Sequence, residues 1–353
     1  MRNFLLVLFA LAGQVLISES GAMDSHHSPK MQMHGHTSSP VGLMGAMMHH
    51  DGFMFTIKHS YMNMDGNIFE GSDISSTEIL NFKNPFSDTP YNLSVVPKKM
   101  NMKMTMLMGM YAFSENINLT GMASYSSKEM SLDTFKPMMN RDFLGSFNTS
   151  SADLSTISFG GLILLKDANH SKTHLNISIE KSIGENEVKG SVLTPMGSYM
   201  EMNLPYAMQL GDKGIKINLG VTNLNKINDK ISWGNQLKRN FGLSDDIWSF
   251  GEQLEFNSWL QYKHSKAISL SSRLKLIHQQ KISGQDLSIK APVQTANPEN
   301  YGGKVLQFAL GASFLVGNSN NISFEFVIPI NQEKNNLQMK TKNQLVLGYQ
   351  ISF

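Results

Sequence analysis

From residue 345 to the end the chain reads LVLGYQISF. Leu345, Leu347, Tyr349, Ile351 and Phe353 fall on one side of an extended backbone, and Val346, Gly348, Gln350 and Ser352 on the other. The same two-residue rhythm sets Leu254, Phe256, Leu260 and Tyr262 against Gln253, Glu255, Asn257, Gln261 and Lys263, and then Ile268, Leu270, Leu274 and Leu276 against Ser269, Ser271, Arg273 and Lys275. It recurs where Ile322, Phe324, Phe326 and Ile328 oppose Ser323 and Glu325. The pattern predicts strands at 52–64, 100–113, 116–127, 153–166, 172–183, 199–211, 214–228, 252–263, 266–282, 303–316, 321–331 and 341–353, twelve in all.

Alternation alone fits a soluble sandwich as well as a membrane barrel, because both have one apolar face. Length separates them: segments of about 10–14 residues suit a tilted membrane strand, whereas soluble strands average about 5 or 6. The connections also alternate in kind. Short turns at 114–115, 167–171, 211–213, 264–265 and 317–320 are interleaved with longer loops at 65–99, 128–152, 184–198, 229–251, 283–302 and 332–340. An even strand number with short turns on one side and long loops on the other predicts an all-β, transmembrane, antiparallel up-and-down barrel. The aromatic Phe353 at the end of the last strand resembles the signal by which bacterial outer-membrane barrels are recognised for assembly.

Composition narrows the picture further. The 353 residues are 41% hydrophobic and 16% charged, with a net charge of +2, a balance that does not point to nucleic-acid binding. Arg2, the apolar run FLLVLFALAGQVLI and Ser20-Gly21-Ala22 have the form of a signal peptide over residues 1–22. Residues 23–50 read as a flexible Met/His-rich segment and 51–353 as the barrel. The expected location is the outer membrane of a Gram-negative bacterium. Cysteine is absent, which excludes disulfides and thiolate sites.

Five runs carry a family resemblance: SPVGLMGAMMHHDGFMFTIKHSYMNMDGN, NLPYAMQLGDKG, QLEFNSWLQYK, TANPENYGGKVLQFALGASF and EFVIPINQEKNNLQMKTKNQLVLGYQISF. Together they resemble an outer-membrane barrel family whose members are labelled transporters or MetA-pathway of phenol degradation proteins. The similarity runs from about Pro40 to Phe353 and is weakest over 68–97 and 229–251. It implies a barrel and a transport role, with no particular solute.

The chain has 25 methionines, and in KMNMKMTMLMGMY they occupy every second position. If Leu107, Tyr111 and Phe113 face lipid, then Met104, Met106, Met108 and Met110 face the lumen, and Lys103 faces outward, where it must snorkel. On the preceding strand Phe53, Phe55, Ile57 and Tyr61 read as lipid-facing, leaving Met54, Thr56, Lys58, Ser60, Met62 and Met64 inside. Thioethers suit Cu(I), and imidazoles accept copper, nickel or zinc. Candidate soft-metal ligands are Met31, Met33, His34, His36, Met47, Met48, His49, His50, Met62, Met64 and the four methionines of the stripe. Methionine is also a pliable apolar filler, so packing or a weakly selective apolar passage is the competing reading.

Other luminal candidates are Lys58, Glu180, Glu201, Glu255, Lys263, Arg273, Lys275 and Glu325, read as a mixed-charge network or a permeation filter. Trp233, Trp248 and Trp259 read as interface anchors or loop packing. The sequence has no GxSxG elbow, P-loop or HExxH, so no enzyme is predicted. The leading expectation is a passive or weakly selective channel for small solutes, partly plugged by 23–50. The alternatives are a copper-handling barrel or a structural or lipid-modifying one. Expected partners are outer-membrane lipid, the barrel-assembly machinery and an unidentified small solute, with no required cofactor.

Overall fold

A computed structural model describes residues 39–86, 90–138, 141–244, 247–317 and 319–353. Met31, Met33, His34, His36 and the predicted signal peptide lie outside the described residues. Twelve antiparallel strands follow one another around a single sheet: β1 (Phe53–Phe69), β2 (Val95–Ser114), β3 (Ile117–Phe135), β4 (Phe143–Ala168), β5 (Ser171–Ser182) and β6 (Ile215–Lys226). They continue as β7 (Ile231–Ser244), β8 (Gln253–Lys263), β9 (Ile268–Gln279), β10 (Gly303–Val316), β11 (Asn320–Lys334) and β12 (Leu337–Ser352). β12 returns to pair with β1, with Thr56 opposite Gln350 and Ser60 opposite Val346, so the sheet closes into a barrel.

The outer face is apolar where lipid would lie. Phe55, Ile57, Leu107, Leu260, Phe324 and Leu347 are all exposed, while their chain neighbours Thr56, Lys58, Gln261, Glu325 and Val346 are buried. An exposed apolar girdle of this extent, left uncovered by the described residues, matches the lipid-facing band of a membrane barrel. Among the described residues no helix is long and apolar enough to cross a membrane. The outer side of Lys103 is not solitary: its amine pairs with Glu129 at 3.8 Å, beside the outward-facing Tyr61 and Asn63, which both donate to Asn101. The girdle therefore ends in a polar rim at that height.

Two strand assignments from the sequence need correction. Residues 199–211 are not a barrel strand: Tyr199–Asn203 pairs with Lys189–Leu193 in a small hairpin outside the ring, and Pro205 then leads into a short turn of helix, Tyr206–Met208. Proline has no N–H to give to a ladder, so the apparent alternation of this run cannot extend through it. The predicted loop 229–251 instead contains β7, which pairs with both β6 and β8. Its outward face carries Asn235 and Arg239 between Trp233, Leu237 and Phe241, which breaks the apolar rhythm. The two corrections offset each other in number but reverse the direction of β6. The connection at 211–213 consequently lies at the long-loop end, and 227–230 is a short turn. The predicted loop 332–340 is also a tight turn, since β11 runs to Lys334 and β12 starts at Leu337.

Candidate functional site: a plugged lumen beneath an apolar cap

Inside the barrel, residues 40–49 cross the lumen near its short-turn end. The segment starts near β12, where Val41 lies against Gly348: a Cβ on that glycine would sit 2.4 Å from the valine. Gly42 donates its N–H to Glu325 on β11 at 2.8 Å, and a Cβ there would collide with the same carboxylate. Leu43 and Ala46 pack on Trp259 of β8. The Gln236 amide on β7 reaches the carbonyl of Met44 at 3.0 Å, and His174 on β5 meets that of Gly45 at 2.8 Å. Gly45 itself has φ +62, a conformation in which any side chain is strained, and a Cβ would run into Asn176. Met48 joins Met54, Met110 and Leu162, and Asn118 clasps His49 by accepting its N–H at 2.7 Å and donating to its carbonyl at 2.9 Å.

The barrel wall is thus built to hold this strand-free segment through its backbone. A segment with no secondary structure of its own leaves its amides and carbonyls to be satisfied by side chains, and a polar lumen supplies them. Lys58, buried on β1, donates to the Leu43 carbonyl at 2.5 Å and lies 3.4 Å from the Met44 sulfur.

Beside the plug, two groups of luminal charges are linked. Arg273 and Glu325 form a bidentate pair at 2.8 and 2.9 Å, with their side chains 3% and 1% exposed. The third guanidinium contact goes to Asn257 at 2.7 Å. Glu255 meets Lys275 at 2.9 Å and Lys238 at 3.5 Å, and accepts from Asn257 at 2.7 Å. Asn257 joins the two groups into one network. Glu180 lines a luminal cavity, and Lys263 shares the inward face of β8 with Glu255 and Asn257 at the short-turn end. Glu201 does not belong to the lumen: it stands exposed on the loop hairpin, because the strand that would have carried it inward does not exist. Lys238, on the strand that the sequence reading missed, replaces it.

Two cavities flank the plug. One of about 240 Å³ is lined by Met44, Met108, Met110 and Met122 together with Asn176, Asn218 and Glu180. The other, of about 520 Å³, is lined by Met44, Met62, Met102, Met104 and Met106 with Lys58, Lys275, Lys334 and Gln344. The stripe therefore faces the lumen. Met64 packs higher, against the cap described below. Met47 is half-buried within the plug segment, and His50 is exposed. Among the described residues no three His, Asp or Glu side chains converge in a metal-binding group.

At the long-loop end, connections fold inward over a buried apolar core that includes Met100, Met130, Leu204, Tyr206, Met208, Trp248 and Val293. The Tyr206 and Trp248 rings meet edge-on at 4.9 Å. Lys128 reaches from the wall to the carbonyls of Ala207 and Gln209, and Gln294 to Asn67, so the cap is tied to the barrel by polar contacts. Asp212 anchors its edge by accepting from Lys216 at 3.0 Å, Phe250 at 2.9 Å and Gly214 at 3.1 Å. Burial opposes its charge, but Lys216 and these hydrogen bonds outweigh it and hold the carboxyl below its ordinary range. Of the three tryptophans, Trp248 is loop packing and Trp233 lies on the outer wall near the short turns. Trp259 is neither anchor nor loop, since it supports the plug from within.

No protein-family model matches the sequence, and no curated protein does. The fold is similar to that of the COG4313 outer membrane channel from Pseudomonas putida F1, with a TM-score of 0.53 at 13% identity over 87% of this chain and 97% of that one. Weaker likenesses include a deltaS2 mutant of the TodX monoaromatic hydrocarbon channel (TM-score 0.47, 10% identity, 86% and 91% covered) and a Pseudomonas aeruginosa FadL homologue (0.42, 10%, 86% and 91%). At these identities the likeness is one of fold. What is shared is the closed antiparallel β-barrel.

Proposed function

We propose that this protein is an outer-membrane channel through which small solutes diffuse down their own gradient, narrowed at its periplasmic end by residues 40–49. The observation that carries this reading is the closed barrel enclosing two cavities, of about 240 and 520 Å³, on either side of a plug held mainly by its backbone. Methionine rows give these cavities flexible, weakly polar walls, and Lys58, Lys238, Lys275 and Glu255 supply the polar groups. Short turns face the periplasm and the capped end faces outward, as in barrels of this architecture. Phe353, whose ring meets Phe55 edge-on at 6.2 Å on the outer wall, is well placed to be read by the barrel-assembly machinery.

The test is solute flux in proteoliposomes, comparing the full chain with a variant lacking residues 39–50. Flux above that of protein-free vesicles, and faster after the deletion, supports the channel. Flux indistinguishable from empty vesicles for both forms overturns it.

A second reading, soft-metal handling, draws on the methionines that line the two luminal cavities. Titration of Cu(I) against the chain with and without residues 23–50 tests it, and no binding by either form removes it. The many lysines around the same cavity weigh against a cation and favour the first reading.

A further inference from the structure

A third cavity lies away from the plug, in the cap at the long-loop end. It measures about 260 Å³ and is walled by Met130, Leu132, Phe147, Leu193, Leu204 and Val293, among others, with Lys290 as the one charged side chain on its described lining. The walls are pre-formed. Val95 bridges to Val293, the N–H groups of Ser94 and Val95 both donate to the Pro292 carbonyl, and Thr134 holds the Leu193 carbonyl at 2.8 Å. Its volume lies near the lower end of small-molecule pockets, roughly 300–1,000 Å³, and suits a single ring with a short substituent.

Two buried polar atoms on this lining stand unpaired. Among the described residues, the buried hydroxyl of Thr149, itself 7% exposed, has no hydrogen-bond partner, nor has the side-chain carbonyl oxygen of Asn203. The Asn203 amide nitrogen is already engaged with Ser288 at 2.7 Å. A wall of this composition has no use for an unmatched hydroxyl and carbonyl unless something between them completes their bonding, because buried polar groups are almost always satisfied. A ligand with one hydroxyl meets the requirement. It can donate to one group and accept from the other, so it also serves the Asn203 amide if its oxygen and nitrogen are exchanged.

We propose that the cap cavity is a binding site for a compact, uncharged apolar molecule carrying a single hydroxyl, seated with its ring among Leu132, Phe147 and Leu204 and its hydroxyl between Thr149 and Asn203. The site deepens the channel reading by naming the solute class, and it rests on that reading only for where the molecule goes next.

The experiment uses the folded full-length chain in detergent with two probes of equal shape, benzyl alcohol and ethylbenzene. Titration calorimetry is run on the wild type, on Thr149→Val/Asn203→Leu and on a cavity-filling Leu204→Trp variant, which serves as the blank for partition into micelles. The site predicts saturable binding of benzyl alcohol to the wild type, about tenfold or more tighter than ethylbenzene. In Thr149→Val/Asn203→Leu the preference disappears while ethylbenzene binding persists. Equal affinity for both probes in the wild type overturns the hydroxyl assignment. Uptake that is unsaturable and identical in the wild type and Leu204→Trp overturns the site, provided that Leu204→Trp keeps its heat-modifiable gel mobility. If it does not, the same comparison is made with Thr149→Trp. Flux of the same probes through proteoliposomes is measured separately, so binding without flux contradicts the channel and leaves the site standing, and flux without binding does the reverse.

Discussion

Replacing Glu325 by leucine removes the partner of a charge that the barrel has fully enclosed. Arg273 would keep only its contact with Asn257, since both guanidinium bonds to the carboxylate at 2.8 and 2.9 Å are lost. Arg273 and Glu325 are 3% and 1% exposed, so water reaches neither, and breaking such a pair from one side costs about 3–5 kcal/mol. The N–H of Gly42 loses its acceptor in the same step, worth about 1 kcal/mol more and loosening the plug. The double replacement Arg273→Met/Glu325→Leu removes both charges. It should return the barrel to within about 1–2 kcal/mol of the wild type, because a well-packed apolar pair often substitutes for a buried ion pair at little loss. The plug contact stays broken in both variants. Reversible urea unfolding in detergent, followed by tryptophan emission, measures the stabilities, and vesicle flux measures the plug. A single variant within about 1 kcal/mol of the wild type, or a double variant as unstable as the single, would refute the reasoning.

Other outcomes follow from the same geometry. Leu107→Arg, on the outer wall, should destabilise the folded barrel by about 2–4 kcal/mol, whereas Met106→Arg, one position along and facing the lumen, should cost far less; urea unfolding in vesicles compares them. Gly348→Leu should drive Val41 off its seat and raise solute flux without unfolding the wall, which retained gel mobility would confirm. Because the folded carboxyl of Asp212 is held below its ordinary value of 3.8, its contribution to the cap is complete above that pH and is lost as the pH falls through the folded value. Protease resistance of the long-loop end should therefore fall in acid below about pH 4 in the wild type, and Asp212→Asn should be weakened already at neutral pH and lose that dependence.

The wall was legible in the sequence wherever one face of a strand met lipid and the other met water. β1, β2, β8, β9, β11 and β12 all show this contrast, and the methionine stripe could be oriented because Leu107, Tyr111 and Phe113 interrupt it on the opposite face. β7 escaped because Asn235 and Arg239 stand on its outer face, and 199–211 misled because Met200, Met202 and Leu204 alternate for reasons of loop packing. The buried pair of Arg273 and Glu325 was visible as two inward charges, but their partnership depends on β9 and β11 being separated by β10, a matter of strand order and stagger. Least legible was the way residues 40–49 are held. Nothing local to Gly42 or Gly45 announces Glu325 or Asn176 as neighbours, since these contacts span more than a hundred residues. The cap cavity was hidden for the same reason, as its lining comes from five separate segments of the chain.

The chain contains no cysteine, so single cysteines placed at Met106 and Leu107 report their surroundings without interference. In proteoliposomes, a charged, membrane-impermeant maleimide should label Met106→Cys from the aqueous phase and leave Leu107→Cys unreacted. A fluorophore attached to Leu107→Cys before reconstitution should in turn be quenched by brominated lipid tails. Equal aqueous labelling at the two sites, or the reverse preference, would contradict a lipid-embedded barrel whose methionine face lines its interior.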